Sequence, residues 1–511
     1  MTRRITAPPA PQTSHPRDWS GAFVERELGV TVHTDEARSI VPVDLLVGLA
    51  LRRNPRRAHL LVSTVLAKHV PTDPGVVIAA GALLGVRVAE ALGVAEPGIA
   101  AEFGARLTEV LGGEGGLESL RESLVGARVS NPALSVVGYA ETATGLGRIV
   151  ADTLGAPYLH STRHTSTAAR AWAAFEEEHS HATSHRLLPR RNDWFTASGT
   201  VVLVDDELST GSTIVNTIRS LHALVPQRRF VVAALVDLRG AADRERFRAL
   251  GDELGCAIDV VALGSGTVDL PADTLGAAAR LLLRVDAATS PATSPAPAES
   301  DTSFARAPVS VVDLTPIEAI PSDRFGTIPG ERPDVLTGAG APEVVASLLG
   351  ASCTDHAPGE RIRTVHVLGT EEFIAFPLAV ADRLAGGFAD GDPGAVGDAP
   401  SIRVTFSTTT RSPIAVVARP DYAVESAVHF VKHDETLDDE PARHAYNLTR
   451  GGARFDQVIL FPEPGTDLSL VTGAGSVTEA LASVCDLVTV VLLASHDPLT
   501  ETPMSDARSD A

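Results

Sequence analysis

"TVVLVDDELSTGST", residues 200–213, is the stretch on which the fold turns. A run of β-branched and aliphatic residues leads into Asp205 and Asp206, and a cluster of hydroxyls around Gly211 follows at once. The apolar run reads as a buried strand, and "STIVNTIRSLHAL" (212–224) after it reads as a helix. The same alternation extends outward. "LSVVGY" (134–139), "PYLHST" (157–162), "RFVVAALVDL" (229–238) and "AIDVVAL" (257–263) read as strands. "ATGLGRIVADTLG" (143–155, closed by Gly155) and "AADRERFRALGDELG" (241–255) read as the helices between them. Such alternation predicts an α/β fold: a parallel sheet with helices on both faces. The earlier "PVDLLVGLALRR" (42–53) and "GVVIAAGALLGVRVAEALG" (75–93) read as helices packed on that sheet.

At 511 residues the chain exceeds what one core usually serves. Residues 1–20 are rich in Pro, Thr and Arg and read as a disordered tail, and 286–308 as a Pro/Ser/Ala-rich linker. Two domains are expected, at 21–285 and 309–500, with a flexible tail at 501–511. The second is again α/β in pattern. "RTVHVLG" (363–369), "SIRVTFS" (401–407), "FDQVILF" (455–461) and "LVTVVLLA" (487–494) read as its strands, and "TEEFIAFPLAVADRLAGG" (370–387) as a helix.

The formal net charge of −21 argues against a nucleic-acid partner, although it leaves room for a small phosphorylated ligand. Cys256, Cys353 and Cys485 are isolated, so neither a disulfide framework nor a structural zinc site is expected. The basic N-terminus has no apolar h-region, and no apolar stretch approaches the ~20 residues of a membrane span. A cytoplasmic protein is expected.

In a parallel α/β sheet ligands bind outside the carboxyl ends of the strands, which is where residues 205–213 fall. Loop and first-turn N–H groups, the helix dipole and the hydroxyls of Ser209, Thr210, Ser212 and Thr213 together suit a phosphate. Gly211 permits a bend and a close backbone approach. Adjacent carboxylates would repel a phosphate, but they can accept hydrogen bonds from two neighbouring sugar hydroxyls, or help hold a Mg²⁺ that arrives with phosphates. A phosphate with a vicinal diol alongside describes a 5-phosphoribose. A plain strand–turn–helix junction with a capped helix and solvated acids would explain the same letters.

This segment resembles the PRPP-binding motif of the type I phosphoribosyltransferases: a hydrophobic strand, two acids, then a Ser/Thr/Gly loop. Glu207 departs from it, since the family usually has an apolar or small residue there. The resemblance implies Asp205 and Asp206 as catalytic, diol-holding and Mg²⁺-sharing residues, and 209–213 as the 5-phosphate site. It also places a pyrophosphate loop at "GYAETATGLG" (138–147), with Ala140, Glu141, Thr142, Ala143 and Thr144 in contact with PRPP. A Gly-bounded turn capping the next helix is the other reading there. Arg163, in "STRH" (161–164), is placed to neutralise departing pyrophosphate, or is an ordinary surface arginine.

The histidine-rich "EEEHSHATSHRLLPRRNDW" (176–194) corresponds to the family's mobile active-site loop, from which His179, His181, His185 and Arg186 would serve the leaving group. A zinc or iron site and a solvated loop are the other readings. "RRNPRRAHLLVSTVLAKHVPTDP" (52–74) and "TTTRSPI" (408–414) are similar to one bacterial subfamily, associated with tellurium-resistance and stress gene clusters, whose C-terminal domain is named for Thr410–Arg411–Ser412–Pro413. There "LAKH" (66–69) carries Ala67 where the subfamily has glycine. Thr410, Arg411 and Ser412 form either an anion site or a hydroxyl-rich turn stopped by Pro413. Glu372 reads as a first-turn acid of the following helix.

The resemblance implies Mg²⁺-dependent transfer of phosphoribose from PRPP to a nitrogen base, or the reverse, in nucleotide-like metabolism, by a possible homodimer. A PRPP- or nucleotide-binding regulator without turnover and a metal-dependent hydrolase are the alternatives.

Overall fold

The computed structural model describes residues 21–54, 58–165, 173–176, 184–289, 306–316, 319–330, 344, 348, 363–386, 402–433, 436 and 441–496. The first half opens with α1 (Ala22–Leu28), β1 (Thr31–Thr34), α2 (Val43–Leu46), β2 (Val47–Leu51), β3 (His59–Ser63), α3 (Pro74–Ala91), α4 (Ile99–Leu111) and α5 (Leu117–Gly126). It continues through β4 (Leu134–Gly138), α6 (Thr144–Leu154), β5 (Tyr158–His160), β6 (Ala173–Glu176), β7 (Ser184–Leu187) and β8 (Thr200–Leu208). It closes with α7 (Ser212–Leu224), β9 (Arg229–Asp237), α8 (Ala241–Leu254), β10 (Ala257–Asp269) and α9 (Thr274–Thr289).

These strands form a sheet in the order β1-β10-β9-β8-β4-β5. The last five run parallel, and β1 closes the edge antiparallel to β10. From β4 the chain adds β5 on one side and then β8 on the other. The order therefore reverses between β4 and β8, and an open α/β sheet has its ligand crevice at such a point. Val136, Val137, Val202, Leu203, Val231 and Val232 are fully or almost fully buried, as strands covered on both faces require.

Three expectations change. Residues 42–53 are not one helix: after the single turn of α2, β2 pairs antiparallel with β3 from Val47↔Ser63 to Leu51↔His59. Helical spacing and a buried hairpin give similar apolar runs over so short a length, and the unbroken burial of Val47–Leu51 removes the strand alternation that would tell them apart. Second, β8 does not stop at the aspartates but continues to Leu208. Third, α9 runs on to Thr289, past the expected boundary at 285. The helix α3 is long and apolar enough to cross a membrane, but 72% of its span is buried in the fold, as in a core helix.

Ala67 sits at φ 58° with its methyl buried, in the left-handed region that an L side chain disfavours. Ala67→Gly relieves about 1–2 kcal/mol of left-handed strain, loses a buried methyl worth about 0.8 kcal/mol and adds about 0.5–1 kcal/mol of unfolded-chain freedom, so a stability within about 1 kcal/mol of wild type is expected. Urea unfolding measures it, and a loss well beyond about 1 kcal/mol, the cost expected with no strain to relieve, would refute the strain.

The second half contains β11 (Val309–Asp313), β12 (Ala319–Pro321), β13 (Arg363–Gly369), the helix Ala375–Gly386, and β14 (Ile402–Thr408). Then come β15 (Ala427–Val431), β16 (Ala442–Tyr446), β17 (Gln457–Phe461), β18 (Val488–Leu492) and β19 (Ala494–His496). An all-parallel sheet has the order β11-β18-β17-β13-β14. The halves share core, and residues 290–305 of the expected linker lie outside the described residues. Ile414, Tyr422, Val424 and Tyr446 pack into the apolar cluster of the first half, and Ala67 and Val77 into that of the second. Backbone hydrogen bonds also cross, Thr72 N–H to Phe406 O at 3.0 Å and the reverse at 2.8 Å.

Candidate active site

The β8–α7 junction follows β8, one of the two strands between which the sheet order reverses. Asp205, Asp206 and Glu207 are half-buried there, at the carboxyl end of the strand. Asp205 Oδ1 accepts the Asp206 N–H at 3.0 Å. Burial first, then the Glu207 charge, pushes the Asp206 carboxyl up to about 6, with a side-chain hydrogen bond to Asp205 partly opposing. Glu207 thus adds to a shift that burial begins.

Gly211 caps α7 at φ 73°, and a Cβ there would lie 2.6 Å from the Phe247 ring. Packing and backbone conformation therefore both demand the glycine. The hydroxyls divide in role. Ser212 is buried; its Oγ lies 3.1 Å from Thr210 Oγ1 and accepts from Arg246 Nη2 at 2.7 Å, while the same nitrogen donates to Thr210 O at 3.2 Å. Arg246, on α8, holds the loop closed from behind, and Arg239 stacks over Phe247 at 4.3 Å while pairing with Asp237 at 2.9 Å. Ser209, Thr210 and Thr213 remain half-exposed. No local pattern announces Arg246, because its partner lies 34 residues away.

The loop after β4 carries Glu141, which is buried and paired with Lys68, itself only 3% exposed. Arg411 Nε of the second half lies 3.6 Å from the other Glu141 oxygen. Burial alone would raise this carboxyl, but the charges of Lys68, Arg411 and Arg163 outweigh it and lower it to about 2. The Ala140 N–H donates to Ser161 Oγ at 2.9 Å, and the Thr144 hydroxyl to Glu372 O at 2.8 Å. Thr142 is half-buried and Ala143 buried.

Arg163 is buried rather than a surface residue. Its Nη2 lies 3.1 Å from His185 Nε2, and His185 Nδ1 lies 2.9 Å from Ser161 Oγ. A guanidinium only donates, so Nε2 accepts and Nδ1 carries the proton. His185 therefore orients Arg163 from a fully buried position. Thr162 and Arg186 exchange backbone hydrogen bonds at 2.9 and 3.0 Å, fastening β7 to the site. His179 and His181 lie outside the described residues. Among the described residues no group of three His, Cys, Asp or Glu side chains is gathered as a metal site.

Glu372 is not a first-turn acid, since the helix begins at Ala375. It is buried and accepts from Thr162 Oγ1 at 2.7 Å and from the Arg163 N–H at 2.8 Å, with Arg324 Nη2 at 3.5 Å. Burial opposes its charge, but His164, Arg324, His160 and the Arg163 amide hold it down to about 2. Thr410 and Ser412 take part in the hydrogen bonds of a turn. The Thr410 N–H donates to His444 O at 2.9 Å, Thr410 Oγ1 accepts the Ser412 N–H at 3.1 Å, and Ser412 O accepts from Tyr446 Oη at 2.7 Å.

A separate cavity of about 570 Å³ is lined by residues of α3, α5, α6 and the 375–386 helix, among them Arg121, Ile149, Phe376 and Asp382. It contains none of the site residues above.

A family model described as phosphoribosyl transferase matches residues 46–267, and one described as the TRSP domain C-terminal to it matches residues 324–478. No curated protein matches the chain. Among solved structures it is similar to adenine phosphoribosyl transferase from Trypanosoma brucei in complex with AMP, pyrophosphate and ribose-5-phosphate, at 16% identity and a TM-score of 0.20, over 26% of this chain and 58% of that one. The Leishmania donovani adenine phosphoribosyltransferase follows at 17% identity and a TM-score of 0.22, over 29% of this chain and 64% of that one. The Rhodothermus marinus enzyme shows 21% identity and a TM-score of 0.20, over 30% and 84%. The chain thus spans less than two thirds of the first two.

Proposed function

Because this chain belongs to the phosphoribosyltransferase family that carries a C-terminal TRSP domain, we propose that it transfers 5-phosphoribosyl from PRPP to a nitrogen base, releasing pyrophosphate. The observation that carries the reading is the β8–Gly211–α7 unit where the sheet order reverses between β4 and β8, with two half-buried aspartates ahead of a locked hydroxyl loop.

Each group has a task in such a transfer. The Asp205 and Asp206 carboxylates accept hydrogen bonds from the ribose diol. The α7 N-terminus and the hydroxyls of Ser209, Thr210 and Thr213 receive the 5-phosphate. Arg163, fixed by His185, and the loop 140–144 receive the pyrophosphate as charge develops on it. The transition state is oxocarbenium-like, so positioning and charge stabilisation suffice and no covalent enzyme intermediate is required. Two neighbouring carboxylates fit a Mg²⁺ that keeps most of its other ligands from water and phosphate, and Glu207 adds a third negative charge beside them. When bound, the ion would screen the charge of the leaving pyrophosphate.

The test is direct: protein, PRPP, Mg²⁺ and a panel of bases should release pyrophosphate, and silence across purines, pyrimidines and pyridines would count against transfer. The acid side of the activity profile should rise through about pH 6 as Asp206 ionises. Glu207→Gln removes the neighbouring charge and is expected to move that midpoint to lower pH; an unmoved midpoint would assign the titration elsewhere.

A further inference from the structure

The carboxyl ends of the two parallel sheets face one another. Residues following β4 and β5 in the first half meet residues following β13 and β14 in the second: Thr144, Thr162 and Arg163 bond to Glu372, and Arg411 approaches Glu141. Carboxyl edges are where such sheets bind ligands, so each half here closes the other's edge.

Arg411 is delivered to this place by an anchored turn. Thr409 N–H bonds to Gly369 O at 3.0 Å, Thr410 and His444 exchange backbone hydrogen bonds at 2.9 and 2.8 Å, and Arg53 N–H bonds to Pro413 O at 3.0 Å. Tyr446 Oη bridges the turn, donating to Ser412 O at 2.7 Å and accepting the Ile414 N–H at 2.9 Å. Thr410, Ser412 and Pro413 therefore shape the backbone, and the arginine is the member of the tetrad whose side chain reaches into the first half. There it meets the carboxylate that Lys68 also holds, so cations from segments remote in sequence converge on one buried anion in the loop after β4.

We propose that the second domain completes the pyrophosphate side of the transferase site, with Arg411 binding pyrophosphate beside Lys68 and Arg163. This rests on the transferase reading above. Glu141 keeps the cations gathered while no anion is bound, and the guanidinium fork matches phosphate oxygens in two directions at once. The TRSP tetrad is then part of the substrate site, and the two domains work as one enzyme.

Calorimetric titration of the full chain with Mg²⁺-pyrophosphate and, separately, with ribose 5-phosphate tests this. Arg411→Ala is expected to weaken pyrophosphate about 10- to 100-fold, the range for lost hydrogen bonds to a charged group, and to leave ribose 5-phosphate within about 2-fold. Arg411→Lys, which keeps the charge without the fork, should give a smaller loss for pyrophosphate alone; it decides the matter if the alanine variant fails to fold. Equal effects on both ligands, or none on either, would overturn the role of Arg411 while leaving the transferase reading standing. A wild-type chain that binds neither ligand would overturn the transferase reading and this inference with it.

Discussion

Asp206→Asn is expected to cut pyrophosphate release from PRPP roughly 10²- to 10³-fold, the cost of removing one preorganised electrostatic contact, while the fold holds or gains stability. The two halves of that expectation have one cause. In the folded protein the carboxyl is raised from 3.8 to about 6 by burial and by Glu207. A carboxyl raised on folding contributes stability that is fully present below its unfolded value and lost as pH climbs through the folded one. At pH 7.5 the ionised side chain is therefore a net strain on the strand end. An amide of the same shape removes that strain, but it cannot accept both hydrogen bonds of a diol edge or balance a cation. Activity against PRPP and thermal melting at pH 7.5 read the two effects together. Turnover near wild type would remove Asp206 from the chemistry; a collapsed melting temperature would make it structural.

The legibility of this protein in its sequence divides by range. Strands β4, β8 and β9 and helices α7 and α8 are readable because each is a local pattern, an apolar run or a 3.6-residue period, closed in α8 by Gly255. The Asp205–Thr213 segment is equally readable, since strand end, loop and helix start are contiguous. Glu207 stands out as a departure from the motif, and its effect on Asp206 is electrostatic between adjacent residues. What stays hidden depends on pairs distant along the chain: Lys68 with Glu141, Arg246 with Ser212, Glu372 with Thr162. Glu372 misleads for a local reason, because the helical pattern begins before the helix does. Arg163 and His185 are recognisable as residue types, but burial and mutual orientation decide their roles, and a lone sequence carries neither.

Glu372→Ala is expected to destabilise the protein by roughly 3–5 kcal/mol, the usual cost of removing one member of a buried, hydrogen-bonded ion pair. The carboxylate spans the two halves: it takes the Thr162 hydroxyl and the Arg163 amide from one side and faces Arg324 on the other. Its loss strands those donors in a buried interface, where Glu372 is 5% exposed. The pH dependence gives a second signature. The group is lowered from 4.5 to about 2 on folding, so its stabilisation is present above 4.5 and disappears as pH falls toward 2. The corresponding contribution is at most roughly 3 kcal/mol. Wild type should therefore lose stability across that acid window more steeply than Glu372→Ala, whose curve lacks this group. Glu372→Gln, which retains an acceptor for Thr162 but no charge for Arg324, should be intermediate in stability at pH 7 and share the acid slope of the alanine variant. Urea unfolding at pH 7 and at about pH 3, inside that window, measures all three chains, and an alanine variant as stable as wild type, with the same acid slope, would mean that the facing carboxyl edges are held by their apolar contacts alone.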